Sequence, residues 1–207
     1  MKKHDSAAAA ARGDAPRTLS VETPHFFFRT LEESDASESM CAWLFDSISR
    51  TNLNASFRRL TMDEVRAHIG KFDRVNKHIF GMFEKETGKL VGIREAYIDR
   101  RRGEALLNTL VGETGDRGKG AQRESRYPMY QFLLEDGDVK SLVANVVADN
   151  AYMLTNLKNT GWAHEGTSFK PRANGQGFVE LHHFRLTRGE WRNVEAAKAR
   201  VFVAGYL

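Results

Sequence analysis

Four glycines fall within nine positions, at Gly112, Gly115, Gly118 and Gly120, with Arg117 and Lys119 among them and helix-forming residues directly after. Glycine loses conformational entropy in any ordered element, so such a cluster marks a backbone that must turn sharply or lie close to something. Between a strand and a helix, the free amides of the helix's first turn point at the mouth of the loop. With the positive end of the helix dipole they form a site suited to a pyrophosphate. Side chains at Gly118 or Gly120 would block the approach, and Arg117 and Lys119 add positive charge at the rim. Two other phosphate loops do not fit. A P-loop needs glycine where Glu113 stands and a hydroxyl residue where Gly120 stands, and a dinucleotide fingerprint needs glycine where Arg123 stands. A plain strand-to-helix turn is the other reading of the loop.

Other chemistry is thinly represented. His182 and His183 are adjacent on a strand, which puts their rings on opposite faces, and the remaining histidines lack ligand spacing, so no metal is expected. Cys41 is the one cysteine; it excludes an internal disulfide and a thiolate cluster and fits a small core residue in a reducing cytoplasm. The run Asp99 to Arg102 is a basic hairpin tip, either solvated charge or a contact for an anionic acceptor.

These residues need a scaffold, and 207 residues with 41% hydrophobic content suffice for one α+β domain over 21–207, preceded by a disordered tail over 1–20. The net charge of +4 is mild, and aromatics interleaved with Arg or Lys on a strand face are lacking, so no nucleic acid is expected as a partner. No stretch approaches a membrane span and the N-terminus lacks a secretory apolar segment, so no membrane partner and a cytoplasmic location are expected. HFFF reads as a strand turning into a helix that Ser34 or Asp35 caps and that carries Met40, Ala42, Trp43 and Leu44. Thr61 and Glu64 form a capping box for a second helix with Val65, Ile69 and Phe72 on its apolar face. Two strands around Glu86-Thr87-Gly88 and a third, EALLNTLVG, make a meander leading into the glycine loop. A helix to about Glu135 follows the loop, with Pro128 predicting a kink near Tyr127 or a restart. Then come a strand SLVANVVA bounded by Gly137-Asp138, a helix led by Asn150 and stopped at Gly161, a last strand FVELHHFRL and a final helix from about Arg188 or Glu190.

The stretch VGETGDRGKGAQRE resembles the acetyl-CoA motif of the GNAT superfamily of N-acetyltransferases, with Gly115 departing from the usual glutamine or arginine at the first position. Its RGKG core and Glu124 are most similar to the branch containing the ribosomal-protein N-terminal acetyltransferases. NAYMLTNLKNTGWAHEG, through Asn150, Gly161, Trp162, Glu165 and Gly166, resembles a second motif of the family, and VELHHFRLTRGEW its last strand. The resemblance runs from about residue 24 to 193. It implies a GNAT-type, strongly twisted mixed sheet of about six to seven strands flanked by helices, with EALLNTLVG and SLVANVVA lying side by side and splaying apart.

The resemblance further implies an acetyl-CoA-dependent N-acetyltransferase acting on a primary amine by direct attack, with acetyl-CoA and the amine as partners, a protein N-terminus or a small molecule as acceptor, and compatibility with a homodimer. The cofactor-binding residues it implies are Leu110, Val111, Gly112, Arg117, Gly118, Lys119, Gly120, Ala121 and Asn150, with an amide near Leu110 or Val111 polarising the carbonyl. A catalytic glutamate of some family members corresponds to Glu104, otherwise an exposed hairpin carboxylate; Glu95 and Glu113 are the lesser candidates for the base. The family's hydroxyl acids correspond to Met153 and Leu157, leaving Tyr152 or water to protonate the thiolate. A GNAT-fold module that binds acyl-CoA without catalysis is the second hypothesis, and a basic RNA-associated protein the third.

Overall fold

The computed structural model describes residues 15–43, 59–135, 137, 139–173 and 175–194. The tail expected over 1–14, Leu44, Asp138 and the end of the last helix lie outside them. The described residues hold one sheet of eight strands: β1 (Ser20–Glu22), β2 (Phe26–Thr30), β3 (Lys77–Glu84), β4 (Leu90–Asp99), β5 (Glu104–Val111), β6 (Ser141–Val147), β7 (Ala163–Pro171) and β8 (Phe178–Thr187). Their spatial order is β1-β2-β3-β4-β5-β6-β8-β7, antiparallel throughout except where β5 and β6 run parallel.

The α+β mixed sheet is the one expected, with eight strands in place of six to seven. β7, AHEGTSFKP, has no apolar alternation; it is almost wholly in solvent and is a strand because β8 pairs with it from Ala163↔Arg185 to Pro171↔Phe178. β1 begins inside the expected tail. Arg17 N–H donates to the Arg74 carbonyl at 2.7 Å, Leu19 N–H to Thr30 Oγ1 at 2.9 Å, and the Arg17 guanidinium lies 4.2 Å above the Phe132 ring. Residues 17–20 are therefore bound to the sheet, a correction to the tail boundary.

Among the described residues four helices and part of a fifth cover the sheet: α1 (Glu38–Trp43), α2 (Met62–Gly70), α3 (Ala121–Tyr130), α4 (Ala151–Lys158) and α5 (188–194). α2 starts at the expected capping box, Glu64 N–H donating to Thr61 Oγ1 at 3.3 Å and Thr61 N–H to the Glu64 carboxylate at 2.9 Å. Ser34 and Asp35 do not cap α1. They sit in a separate 3₁₀ turn, where the Asp35 carboxylate takes Arg29 at 2.6 Å. α3 does not end and restart at Pro128. It continues to Tyr130 and passes into a wider π turn over Gln131–Glu135, held by the buried side chains of Met129, Tyr130, Phe132, Leu133 and Leu134.

The sheet separates two cores. Ile93, Tyr97 and Leu110 face α1 and α2 with Met40, Trp43, Val65 and Ile69. Ala96, Ala105 and Leu107 face α3 and α4 with Phe80, Met82 and Met129. No helix among the described residues is long and apolar enough to cross a membrane.

His78 is fully buried in the second core, stacked on Phe80 and edge-on to Phe132. Burial, against the Val75 backbone group and Asp73 and with smaller help from Arg17 and Arg100, pushes its pKa down to about 4 from 6.5. Folded His78 is neutral while the unfolded chain protonates it below pH 6.5, so stability is lost as pH falls from 6.5 to about 4. At 1.36 kcal/mol per unit the loss between pH 7 and 5 is about 2 kcal/mol. His78→Phe keeps the stacking and flattens that slope in melts at pH 7 and 5; an unaltered slope in the variant would acquit His78.

Candidate functional site

β5 and β6 form the site by parting. Glu104, Ala105 and Leu106 lie opposite Ser141, Leu142 and Val143, and the pairing stops there. From Leu107 onward β5 keeps only β4, and from Ala144 onward β6 keeps only β8. A wedge opens between the two strands. Gly112 N–H donates to the Val91 carbonyl at 2.9 Å, so the alternation of an antiparallel ladder turns the backbone groups of Asn108 and Leu110 toward β4 as well. The amides of Leu107, Thr109 and Val111 face the wedge. Of the two amides named from the sequence, only that of Val111 is on the open edge.

The glycine loop closes the wide end of this wedge. Gly118 and Gly120 have φ of +80° and +100°, the left-handed region that favours glycine, and no protein atom lies within 4 Å of a Cβ built at Gly118. Gly120 is the N-cap of α3, and no side chain caps the helix there. The amides of Ala121, Gln122 and Arg123 thus have no partner within their own helix. Gly112 has a different reason to be glycine: the indole of Trp43 lies 2.1 Å from where its Cβ would be.

Arg117 and Lys119, expected as rim charges, brace the loop from within. Arg117 donates to the Gly112 carbonyl at 3.2 Å, and Lys119 Nζ lies 3.3 Å from Asp116. Lys89 reaches Asp116 at 2.9 Å and Glu113 at 2.8 Å. Burial works to raise the Asp116 carboxyl pKa, but the hydrogen bonds from Lys89 and Lys119 outweigh it and hold it below the usual carboxylate range.

Beneath the first turn of α3 lies a residue the sequence reading missed. Arg94, on β4, donates from Nε to Ser125 Oγ at 2.8 Å, from Nη2 to the Gln122 carbonyl at 2.6 Å and from Nη1 to Thr109 Oγ1 at 3.2 Å. It is 3% exposed, and among the described residues no carboxylate bonds it. Burial pushes the guanidinium down to about 10. An arginine amid the apolar run LVGI and Ala96 was the available signal, since period-two alternation turns it inward.

Arg94, Thr109, Asn145, Asn150, Met153 and Trp162 line the wedge. Asn150 caps α4, its Oδ1 accepting from Met153 N–H at 3.2 Å, and borders the wedge at once. Leu157 is buried beside it. Tyr152 is 66% exposed and does not line the wedge, so the geometry does not support it as an acid. Tyr152→Phe is expected to leave turnover unchanged across pH in a thiol-release assay, and a loss of tenfold or so would restore the tyrosine to the chemistry.

Glu104 lies at the closed end. Its carboxylate bonds Arg185 at 2.8 Å and Arg102 at 3.1 Å, and Arg185 also takes Ser141 and Glu165. Six residues of strand separate it from Leu110, about 20 Å. The geometry therefore does not support Glu104 as a base; it is part of an ion-pair cluster clamping β5, β6, β7 and β8. Glu113 belongs to the loop through Lys89.

Glu95 is placed differently. On the other face of the sheet a cavity of about 530 Å³ opens between α1, α2, β4 and β5. Glu95 stands in it, taking His68 Nε2 at 2.8 Å on one oxygen and Tyr97 OH at 3.0 Å and Asn108 Nδ2 at 3.2 Å on the other. Its own burial pushes the carboxyl pKa up; His68, Asn108 and Tyr97 together outweigh that and keep it below the usual carboxylate range. Asn108 and Thr109 border both cavities, so the two meet at the open edge of β5.

His182 contacts His164 at 3.1 Å, while His183 lies 2.8 Å from both Ser168 and Asn145, so the neighbouring rings do point to opposite faces. Among the described residues no group of three or more His, Cys, Asp or Glu is placed to hold a metal ion.

No protein-family model and no curated protein matches the sequence. The fold, in contrast, is similar to solved structures. A GCN5-related N-acetyltransferase from Brucella melitensis superposes with a TM-score of 0.70 at 16% identity over 88% of this chain and 84% of that one. The ribosomal-protein-S5-alanine acetyltransferase from Vibrio fischeri gives 0.68 at 14% identity over 84% and 98%, and a nucleotide-linked sugar GNAT gives 0.68 at 14% over 88% and 97%. The chain has a GNAT-like fold, and these likenesses do not single out the ribosomal-protein branch.

Proposed function

We propose that this chain is an acetyl-CoA-dependent N-acetyltransferase, moving an acetyl group to a primary amine by direct attack in a ternary complex. One observation carries the reading: the strands part beside an uncapped helix start whose loop glycines Gly118 and Gly120 sit in the left-handed region, with open space before Gly118. The amides from Gly118 to Arg123 would hold the diphosphate, Arg94 beneath them adding a fixed positive charge. Asn150 and the edge of β5 would line the pantetheine arm. Bound acetyl-CoA supplies an activated thioester carbonyl, and the amide of Val111 is turned to polarise it.

A second reading, an acyl-CoA-binding module without catalysis, is favoured by Met153 and Leu157 where the resemblance implies hydroxyl acids, and by the outward-facing Tyr152. In the enzymatic reading water serves the departing thiolate. Calorimetry with CoA tests the site itself, and absence of binding overturns both readings. Thiol release from acetyl-CoA over a panel of primary amines then separates them: release with any amine supports the enzyme, and none above background supports the inert module.

A further inference from the structure

We propose that the cavity under α1 and α2 takes a small-molecule primary amine carried on an apolar body, with His68, oriented by Glu95, accepting the ammonium proton. This rests on the acyl transfer proposed above. The cavity's walls are the side chains of Met40, Trp43, Leu60, Val65, Ile93 and Leu110, and its volume of about 530 Å³ suits a small ligand. Glu95, His68 and Asn108 stand beside Thr109 at the open edge of β5 where the two cavities meet, while Glu64 and Lys71 of the same lining lie toward the two ends of α2. A chamber with Met40, Trp43, Val65, Ile93 and Leu110 as its apolar wall and Glu95, His68 and Asn108 at the edge of the wedge fits a ligand of the same kind: a cationic head at that edge and an apolar body behind it.

Glu95 does not itself suit the role of base. Its side chain is 13% exposed, both oxygens accept hydrogen bonds, and the donors favour its charged form. What the carboxylate does is fix His68. With Nε2–H donated to Glu95, the neutral ring keeps its lone pair on Nδ1, and a carboxylate behind a histidine stabilises the imidazolium formed. His68 lines the cavity with its side chain 41% exposed, so solvent and ligand can reach it. Among the described residues the charged groups around it are Glu95 from β4, Glu64 from its own helix and Lys71 at that helix's end; α1 contributes Met40 and Trp43, and Phe72 meets the ring edge-on.

In the step, His68 Nδ1 takes one proton from the ammonium. The freed nitrogen pair attacks the thioester carbonyl carbon, the C–N bond forms and the C–S bond breaks. Sulfur leaves with the bonding electrons and receives the second nitrogen proton through water, and His68 returns its proton to solvent.

The test starts with the full chain saturated with CoA. Calorimetry with 2-phenylethylamine is expected to show binding at least tenfold tighter than ethanolamine, and Ala67→Trp, which puts a large ring at an exposed position lining the cavity, is expected to remove amine binding while CoA binding stays. In turnover with 2-phenylethylamine, His68→Gln is expected to lower kcat about 100-fold at neutral pH and to make its pH profile follow the amine's own ionisation. Glu95→Gln should lower kcat with little change in KM. CoA binding without any preference for the apolar amine overturns the substrate class alone. A wild-type pH profile in His68→Gln, in a variant melting like the parent, overturns the proton role. Failure of CoA itself to bind overturns instead the acyl-transfer reading on which this one stands.

Discussion

Gly120→Asp is expected to abolish measurable CoA binding, whereas Gly120→Ala is expected to weaken it about tenfold. Both variants put an L side chain at φ +100°, which costs about 1–2 kcal/mol. Neither meets a steric obstacle in the protein, since the nearest atoms to a Cβ at Gly120 are the Glu124 carboxylate at 3.6 Å and Arg123 Nη2 at 3.7 Å. Only the aspartate brings a charge. It can take the free amides of the first turn of α3 for itself, and it opposes a diphosphate by about 3 kcal/mol per unit charge at a separation of about 5 Å and an effective dielectric of about 20. That is a further loss of about 100-fold. Calorimetry measures the affinities and circular dichroism checks that α3 persists. An aspartate variant that binds CoA as well as the alanine variant would remove the anion site from the loop.

Arg94→Ala is expected to lower stability by about 3 kcal/mol, a drop of roughly 6–12 °C in melting temperature for a chain of this size. Three effects combine. The truncation leaves a cavity between β4 and α3, and it removes the donors that reach the Gln122 carbonyl, Ser125 and Thr109. Against these stands relief from burying a cation that no carboxylate among the described residues neutralises. Arg94→Met fills most of the volume and gains the same relief, so it is expected to melt within a few degrees of the parent. It should nonetheless bind CoA about tenfold more weakly, because the fixed positive charge under the first turn of α3 is gone. Melts with and without CoA measure both quantities. A methionine variant melting as low as alanine assigns the stability to the hydrogen bonds, and one with unchanged CoA affinity removes Arg94 from the anion site.

Much of the scaffold was legible because its signals are local. Thr61 and Glu64 mark the start of α2 through a bond between residues three apart, and Asn150 does the same for α4 with Met153. The glycine loop declared itself through backbone angles that few other residues adopt. β7 was not legible, since AHEGTSFKP has nothing apolar to alternate and owes its conformation to a partner strand. Pro128 does not end the helix, one of the two outcomes it predicted, for a related reason: the cost of proline in a helix is a local quantity, whereas the buried side chains that hold α3 through it come from tertiary packing.

The amino-acid sequence by itself determined the strand and helix segments that matter, the glycine mouth at the start of α3 and hence the kind of ligand that mouth suits, because torsion preferences, caps and side-chain period act within a few residues. Which carboxylate stands near the proposed acyl-transfer site could be read only from the assembled sheet. Glu104 and Glu95 are alike as sequence, but Glu104 finds Arg185, 81 residues away, at the closed end of the strands, and Glu95 finds His68 from a helix packed over the open half. Such partners are fixed by strand order and register, which no single segment carries.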